Sequence, residues 1–185
     1  MNPDTPLMNR RRLLCGCAGL AGLAALSLAG CGKDNASSAQ AQGPVDFQAQ
    51  SSCSLDGMLL ADYPGPKGQI RFANVAEVQW FCDTTELLST LLAPEQVRTV
   101  VSAFVQDMAH ADWEQPRGHW TDARQALYVF GSQRKGSMGP TAVSFANEAG
   151  AQAFVQQHGG RALRFAEITP EMVDLSGGAM RDTRM

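Results

Sequence analysis

Cys53-Ser54-Leu55-Asp56-Gly57-Met58 puts a thiol and a thioether into one short loop. Both are soft donors, and the pair suits Cu(I) better than Zn(II), which usually gathers more Cys, His or carboxylate ligands. Gly57 lets the backbone turn sharply enough for both sulfurs to face one point. Asp56 is a hard carboxylate and a poor Cu(I) partner, so its expected part is to hydrogen-bond and hold the loop. The plainer alternative makes Met58 the first core residue of an apolar Met58-Leu59-Leu60 strand.

A Cu(I) site built on two sulfurs needs a third ligand or shelter from water. Met138, in a loop between Gly136 and Gly139, and Met108, at the end of a strand, would both keep the site soft. Among the histidines, His119 beside Trp120 is the one worth testing, with His110 a further candidate. His158, just before Gly159-Gly160, reads instead as a cation at a helix C-terminus. Cys82 follows Trp80-Phe81 and precedes a helix start, which lowers a thiol's pKa and makes it a ligand or a reactive group. Burial as a small inert residue is the alternative. A third option is a Cys53–Cys82 disulfide, the default for two cysteines in an oxidising compartment, which would close the metal site until it was reduced.

The first thirty residues read as an address. Arg10, Arg11 and Arg12 precede an apolar run from Leu13 to Gly30, and Leu28-Ala29-Gly30 places small residues before Cys31. This is the pattern of a bacterial lipoprotein signal, with Cys31 the lipidated N-terminus after cleavage. A membrane-spanning anchor is the competing reading of the same run. Asn9-Arg10-Arg11-Arg12-Leu13-Leu14 fits either a twin-arginine export motif or an ordinary basic leader. Gly32, where an inner-membrane retention signal would have Asp, favours the outer membrane, on the periplasmic side.

With the signal set aside, 155 of the 185 residues remain, enough for one domain with a sizeable core. Without Arg10, Arg11, Arg12 and Asp4, the 15 basic and 18 acidic residues fall to 12 and 17, a net charge of −5. An acidic chain with no basic block is unsuited to nucleic acid. Residues 31–50, mostly Ser, Ala, Gln and Gly, read as a flexible tether. The domain is expected over 51–172, and 173–185 as a frayed tail.

Two similar halves are expected to position the chemistry. In the first, strands at Gln69–Phe72 and Glu77–Phe81 lead to a helix capped by Asp83 or Thr84, with Leu87, Leu88, Leu91 and Leu92 at helical spacing. Pro94 ends it and a strand follows over Arg98–Gln106. In the second, strands at Ala126–Phe130 and Thr141–Phe145 precede a helix begun by Asn147 or Glu148 and stopped by Gly159-Gly160. A last strand covers Ala162–Ile168. Each half is β-β-α-β, so the fold class is α+β, a tandem duplication with helices on antiparallel sheets. Ala109–Gln125 shows no clear period and is expected as a long connecting loop.

Cys53-Ser-Leu-Asp-Gly-Met58, Phe81-Cys82-Asp83, Val105-Gln106-Asp107-Met108 and Gly136-Ser137-Met138-Gly139-Pro140-Thr141 together resemble the NosL family of nitrous oxide reductase accessory proteins. The resemblance runs from about Cys53 to Ile168, with the motifs in order. It implies a copper-binding lipoprotein, paired β-α-β units related to alkylmercury lyase, and a role in supplying copper to the reductase's multi-copper cluster. Nitrous oxide reductase and the transporter that assembles its copper sites are the implied partners. Many relatives have a second cysteine where this chain has Asp56, which implies weaker or more labile binding here.

The expected function is therefore an extracytoplasmic metallochaperone carrying one Cu(I) per chain, not an enzyme. Two alternatives compete: a lipoprotein that recruits the reductase without binding metal, and a thiol-dependent lyase or redox enzyme. The sequence offers the second little, having no Cys-x-x-Cys pair, no Ser-His-Asp set and no Walker loop.

Overall fold

The computed structural model describes residues 43–176. The signal segment, Cys31, the first part of the tether and the tail from residue 177 lie outside them. Nine strands and two α-helices form the frame of the described residues. Strands β1 (Gly68–Phe72) and β2 (Gln79–Phe81) are followed by helix α1 (Thr84–Leu92) and strand β3 (Val100–Gln106). Then come β4 (Trp120–Asp122), β5 (Leu127–Phe130), β6 (Lys135–Gly136), β7 (Gly139–Pro140) and β8 (Val143–Phe145). Helix α2 (Glu148–His158) and strand β9 (Arg161–Arg164) complete the second half.

The duplication is visible in strand order. All pairings are antiparallel; the first sheet runs β2-β1-β3-β4 and the second β8-β5-β9. In each half the first strand lies in the centre, flanked by the strand before the helix and the strand after it. Strand β4 extends the first sheet, and the β6–β7 hairpin is inserted between the central and edge strands of the second.

Sequence periodicity explains the helices. Leu87 and Leu88 are buried, and Leu91 and Leu92 pack half-buried on the same core, so one apolar stripe faces inward. Asp83 caps α1, its Oδ1 accepting from the Thr85 amide at 2.8 Å. Asn147 caps α2 by accepting from Gly150 N at 3.0 Å, and Gly159, at φ 71°, closes it by donating to Val155 O. The main core gathers Ile70, Phe72, Phe81, Val105 and Tyr128; a second cluster, around Val129, Val143, Phe145 and Ala151, lies under α2.

Four expectations change. The last strand ends at Arg164, because Glu167 turns back to accept from Arg164 N at 2.8 Å and Phe165–Glu167 forms a 3-10 turn. Met58-Leu59-Leu60 is not a strand: Leu60 begins a 3-10 turn, and only an isolated bridge joins Ser52 to Leu59. The long connection before the second half contains β4. The domain also takes in part of the expected tether: Phe47 is buried, and Val45 exchanges two hydrogen bonds with the Gln69 side chain.

Candidate metal centre

A third, small apolar cluster holds the two remaining cysteines. Phe47, Cys53, Leu60 and Cys82 are buried together, with Met58, Trp80 and Trp120 packed half-buried against them. The 53–58 loop closes on itself, since Cys53 N donates to Met58 O at 2.8 Å and Gly57 N to Cys53 O at 2.9 Å. Gly57 has φ 77°, the left-handed turn that other side chains resist. Asp56 Oδ1 accepts from Met58 N at 2.9 Å and so ties the loop.

The loop is then fastened to the first sheet. Ser54 N donates to Trp80 O at 2.8 Å, and Trp80 N donates to Ser54 Oγ at 3.2 Å. Cys82, two residues after Trp80, is thereby brought to Cys53. The thiols are free, not bridged. Phe47, Trp80 and Trp120 meet in a chain of ring contacts at 6.1 and 6.2 Å, walling one side.

Glu86 supplies the centre of the cluster. Its Oε2 lies 3.3 Å from Cys53 Sγ and 3.2 Å from Cys82 Sγ, and accepts from Asp83 N at 3.2 Å. Asp56 Oδ2 stands 3.9 Å from Cys82 Sγ at the exposed rim. The donor atoms of Cys53, Asp56, Cys82 and Glu86 all lie within 4.8 Å of one another. Two thiols and two carboxylates at this range are a ligand set for a metal ion.

The opposite wall comes from the second half of the chain. Ser137, in the β6–β7 turn, donates to Cys82 O at 2.9 Å and sits 3.3 Å from Cys82 Sγ. The hairpin approaches this closely because residue 136 is glycine: a Cβ there would lie 2.2 Å from Asp83 Oδ2. Thr141 Oγ1 donates to Asp83 Oδ1 at 2.8 Å, and Thr84 Oγ1 donates to Ala142 O. The start of α1 is thus locked between the two halves.

Burial governs the charge of this cluster. Three acids in one small volume of low dielectric resist carrying more than one negative charge. Its hydrogen bond with Cys82 holds the Cys53 thiol down, to about 6, whereas the same interaction and burial push Cys82 up. Burial, then the nearby Cys53 charge, pushes Glu86 up to about 8. Asp83 is also raised by burial. Lys67 is fully buried beside them, donating from Nζ to Pro64 O at 2.9 Å and Cys82 O at 3.0 Å. Desolvation lowers it to about 8, so it remains a cation at neutral pH.

A profile of the NosL family matches residues 44–173. Over 168 residues the chain is 40% identical to the copper-binding lipoprotein NosL of Stutzerimonas stutzeri, spanning 88% of this chain and 87% of that one. The chain belongs to the NosL family. The NosL lipoprotein of Achromobacter cycloclastes is 37% identical over 154 residues, 81% of this chain and 79% of its own. Among solved structures, the crystal structure of the copper chaperone NosL from Shewanella denitrificans superposes with a TM-score of 0.64 at 39% identity. It covers 69% of this chain and 96% of that one. The α+β fold of antiparallel sheets described above is the NosL fold.

The residues expected at the site divide clearly. Cys53, Met58, Asp56 and Cys82 are brought together. Met138 follows Ser137 directly but is 59% exposed at the tip of the hairpin, on the solvent side. Met108 is not at the site: it lies in the turn just after β3 and packs half-buried against the cluster under α2, its amide donating to Ser144 O. His119 is also elsewhere, its ring stacked on His110 at 5.8 Å in an exposed turn with φ 54°, and His110 is tied to Asp107 at 2.9 Å. Glu86 and Lys67 were not singled out from the sequence. Glu86 had a signal, since it stands three residues after a capping Asp and four after Cys82, but that pattern serves a helix start equally well.

Proposed function

We propose that this chain is an extracytoplasmic Cu(I) carrier, in which Cys53 and Cys82 hold one copper ion and Met58 contributes a third, weaker sulfur. The observation that carries the reading is the convergence of two unbridged, buried thiols on one point, beside a half-buried thioether. Sulfur donors in an apolar cup select a soft monovalent ion and shield it from water and oxygen. The two curated relatives, named copper-binding lipoproteins, and the structural relative, named a copper chaperone, support it.

Delivery follows from the chemistry of the ligands. A thioether is a neutral and weak donor, so an incoming sulfur or imidazole from an acceptor displaces Met58 first. The thiolates then take protons back in turn as copper leaves, and Glu86, in reach of both sulfurs, passes them. Met138, exposed on the hairpin that touches Cys82, is placed to make first contact with an acceptor. The acceptors proposed are nitrous oxide reductase and its copper-site assembly transporter. The chain is held by lipid at Cys31 on the periplasmic face of a membrane, the outer membrane favoured. No catalytic role is proposed for any residue.

The test is an anaerobic Cu(I) titration against a competing chelator. One tight equivalent is expected, lost in Cys53→Ser and weakened about tenfold, or ~1.4 kcal/mol, in Met58→Leu. Absence of tight copper, or indifference to both changes, would leave a metal-free recruiting lipoprotein as the better account.

A further inference from the structure

Of the chain's three histidines, one packs and two are paired. His158 lies against the Phe154 ring at 4.7 Å. The rings of His110 and His119 instead face each other at 5.8 Å, with 22° between their planes, and both residues are exposed.

Each of the two is held in place. His110 bonds through Nδ1 to Oδ2 of the buried Asp107 at 2.9 Å. A carboxylate accepts and does not donate, so Nδ1 gives the proton and Nε2 is left with the lone pair. A carboxylate behind one ring nitrogen, with the other nitrogen open, is how proteins fix the tautomer and direction of a metal-binding histidine. His119 sits in a turn at φ 54°, a conformation that few residues other than glycine adopt. Hydrogen bonds fasten that turn on both sides. Asp107 N donates to His119 O at 2.7 Å, while Asp46 Oδ1 accepts from Gly118 N at 3.0 Å and from Trp120 Nε1 at 2.6 Å. Asp107 thus ties both histidines, one by its side chain and one by its amide. Among the described residues the His119 ring nitrogens have no hydrogen-bond partner.

We infer that His110 and His119 form a second metal site, on the protein surface, which takes a divalent transition-metal ion through two imidazole nitrogens. The inference goes beyond the carrier reading and uses none of the residues of the thiol site.

Spacing and chemistry agree. An ion bonded to two imidazoles at about 2.0–2.1 Å holds the ring centroids roughly 4.5–6.4 Å apart, depending on the bond angle. The observed 5.8 Å falls in that range, and exposed rings turn toward one ion without disturbing a core. Two imidazoles, with water filling the remaining positions, are borderline and hard donors. They favour Cu(II) over the other divalent first-row ions, in contrast to the sulfur donors of the buried cup.

The test titrates the full chain carrying Cys53→Ser and Cys82→Ser with Cu(II), against glycine as competitor, so that no thiol captures or reduces the ion. Pulsed electron paramagnetic resonance counts the imidazoles on the copper through their remote nitrogens. One Cu(II) bearing two imidazoles is expected. Adding His110→Ala, or His119→Asn to suit the left-handed turn, should lower its affinity at least tenfold and remove one imidazole. Adding His158→Ala should change neither. In the unaltered chain, paramagnetic Ni(II), which thiols do not reduce, should broaden the ring-proton resonances of His110 and His119 before those of His158. This second measurement decides the matter if the serine variant does not fold. Copper bound without imidazole, affinity indifferent to His110→Ala and His119→Asn, or Ni(II) broadening that spares both rings would overturn the inference. None of these outcomes depends on whether the thiols carry Cu(I).

Discussion

The two halves share a frame and differ at one corner. Phe81-Cys82-Asp83 ends β2 and caps α1; Phe145-Ala146-Asn147 ends β8 and caps α2. Cys82 thus corresponds to Ala146, Asp83 to Asn147 and Glu86 to Gly150, each at the same place relative to its helix. In the first half this corner is buried, and a cysteine and a carboxylate converge there on a second cysteine from the preceding loop. In the second, Ala146 and Asn147 are exposed, and the cap bonds only its own helix, to Gly150 N. The frame therefore does not make the site. Burial does, and it is supplied by what is added to the first half: the 43–67 segment on one side and the β6–β7 hairpin on the other.

That contrast is most open to attack at its paired positions. Cys82→Ser should lower Cu(I) affinity more than about 100-fold, beyond the loss typical of residues that only support a ligand. Ala146→Cys, an exposed thiol at the equivalent corner, should add no second tight equivalent. Competition titrations of the two variants side by side decide this. Tight copper gained at Ala146→Cys would show that the frame alone suffices.

The carboxylate gives a second handle. Glu86 is raised from 4.5 to about 8, so its stabilising contribution is full below pH 4.5 and is lost as pH rises toward 8. Cys53, lowered from 9.0 to about 6, acts oppositely: its contribution is full above pH 9 and is lost as pH falls through 6. Between pH 4.5 and 6 Glu86 acts unopposed by Cys53, and the metal-free protein should lose stability as pH rises, by up to about 1.4 kcal/mol per unit. Glu86→Gln should reduce that slope, the part left belonging to the buried Asp83, as read from thermal melts across the window. An equal slope in the variant would remove Glu86 from the account. The second half, with Gly150 there, has no such group.

The smallest effect is expected at Met108. Met108→Leu should leave Cu(I) affinity unchanged and cost under about 1.5 kcal/mol of stability, since it swaps one apolar shape for another under α2. A loss of copper affinity there would place the third sulfur in the wrong half.

The sequence made the frame legible and the corner only in part. Alternation at Gln69–Phe72 and the leucine spacing of α1 carry their own signal, as does Gly159-Gly160. Strands β4, β6 and β7, of two or three residues, are too short to show a period. The Cys53 loop was readable as soft-metal chemistry because its donors are adjacent in sequence. Its joining to Cys82 was not, because that depends on Ser54 pairing with Trp80 across 26 residues. Glu86 looked like a capping residue and is one, while the same oxygen also serves the thiols. Met108 misled because the strand before it stops at Gln106, and the turn that follows packs Met108 against the second half. His119 misled because an exposed turn histidine carries the same letter as a ligand of the thiol-bound ion.

The central claim is that Cys53 and Cys82 bind one copper ion together. X-ray absorption at the copper edge of the Cu(I)-loaded protein tests it most directly, with Cys82→Ser and Cys53→Ser measured in parallel. The account predicts a first shell made of sulfur, which loses sulfur and gains oxygen or nitrogen in each variant. A shell dominated by nitrogen or oxygen in the unaltered protein, or one left unchanged by Cys82→Ser, would contradict it.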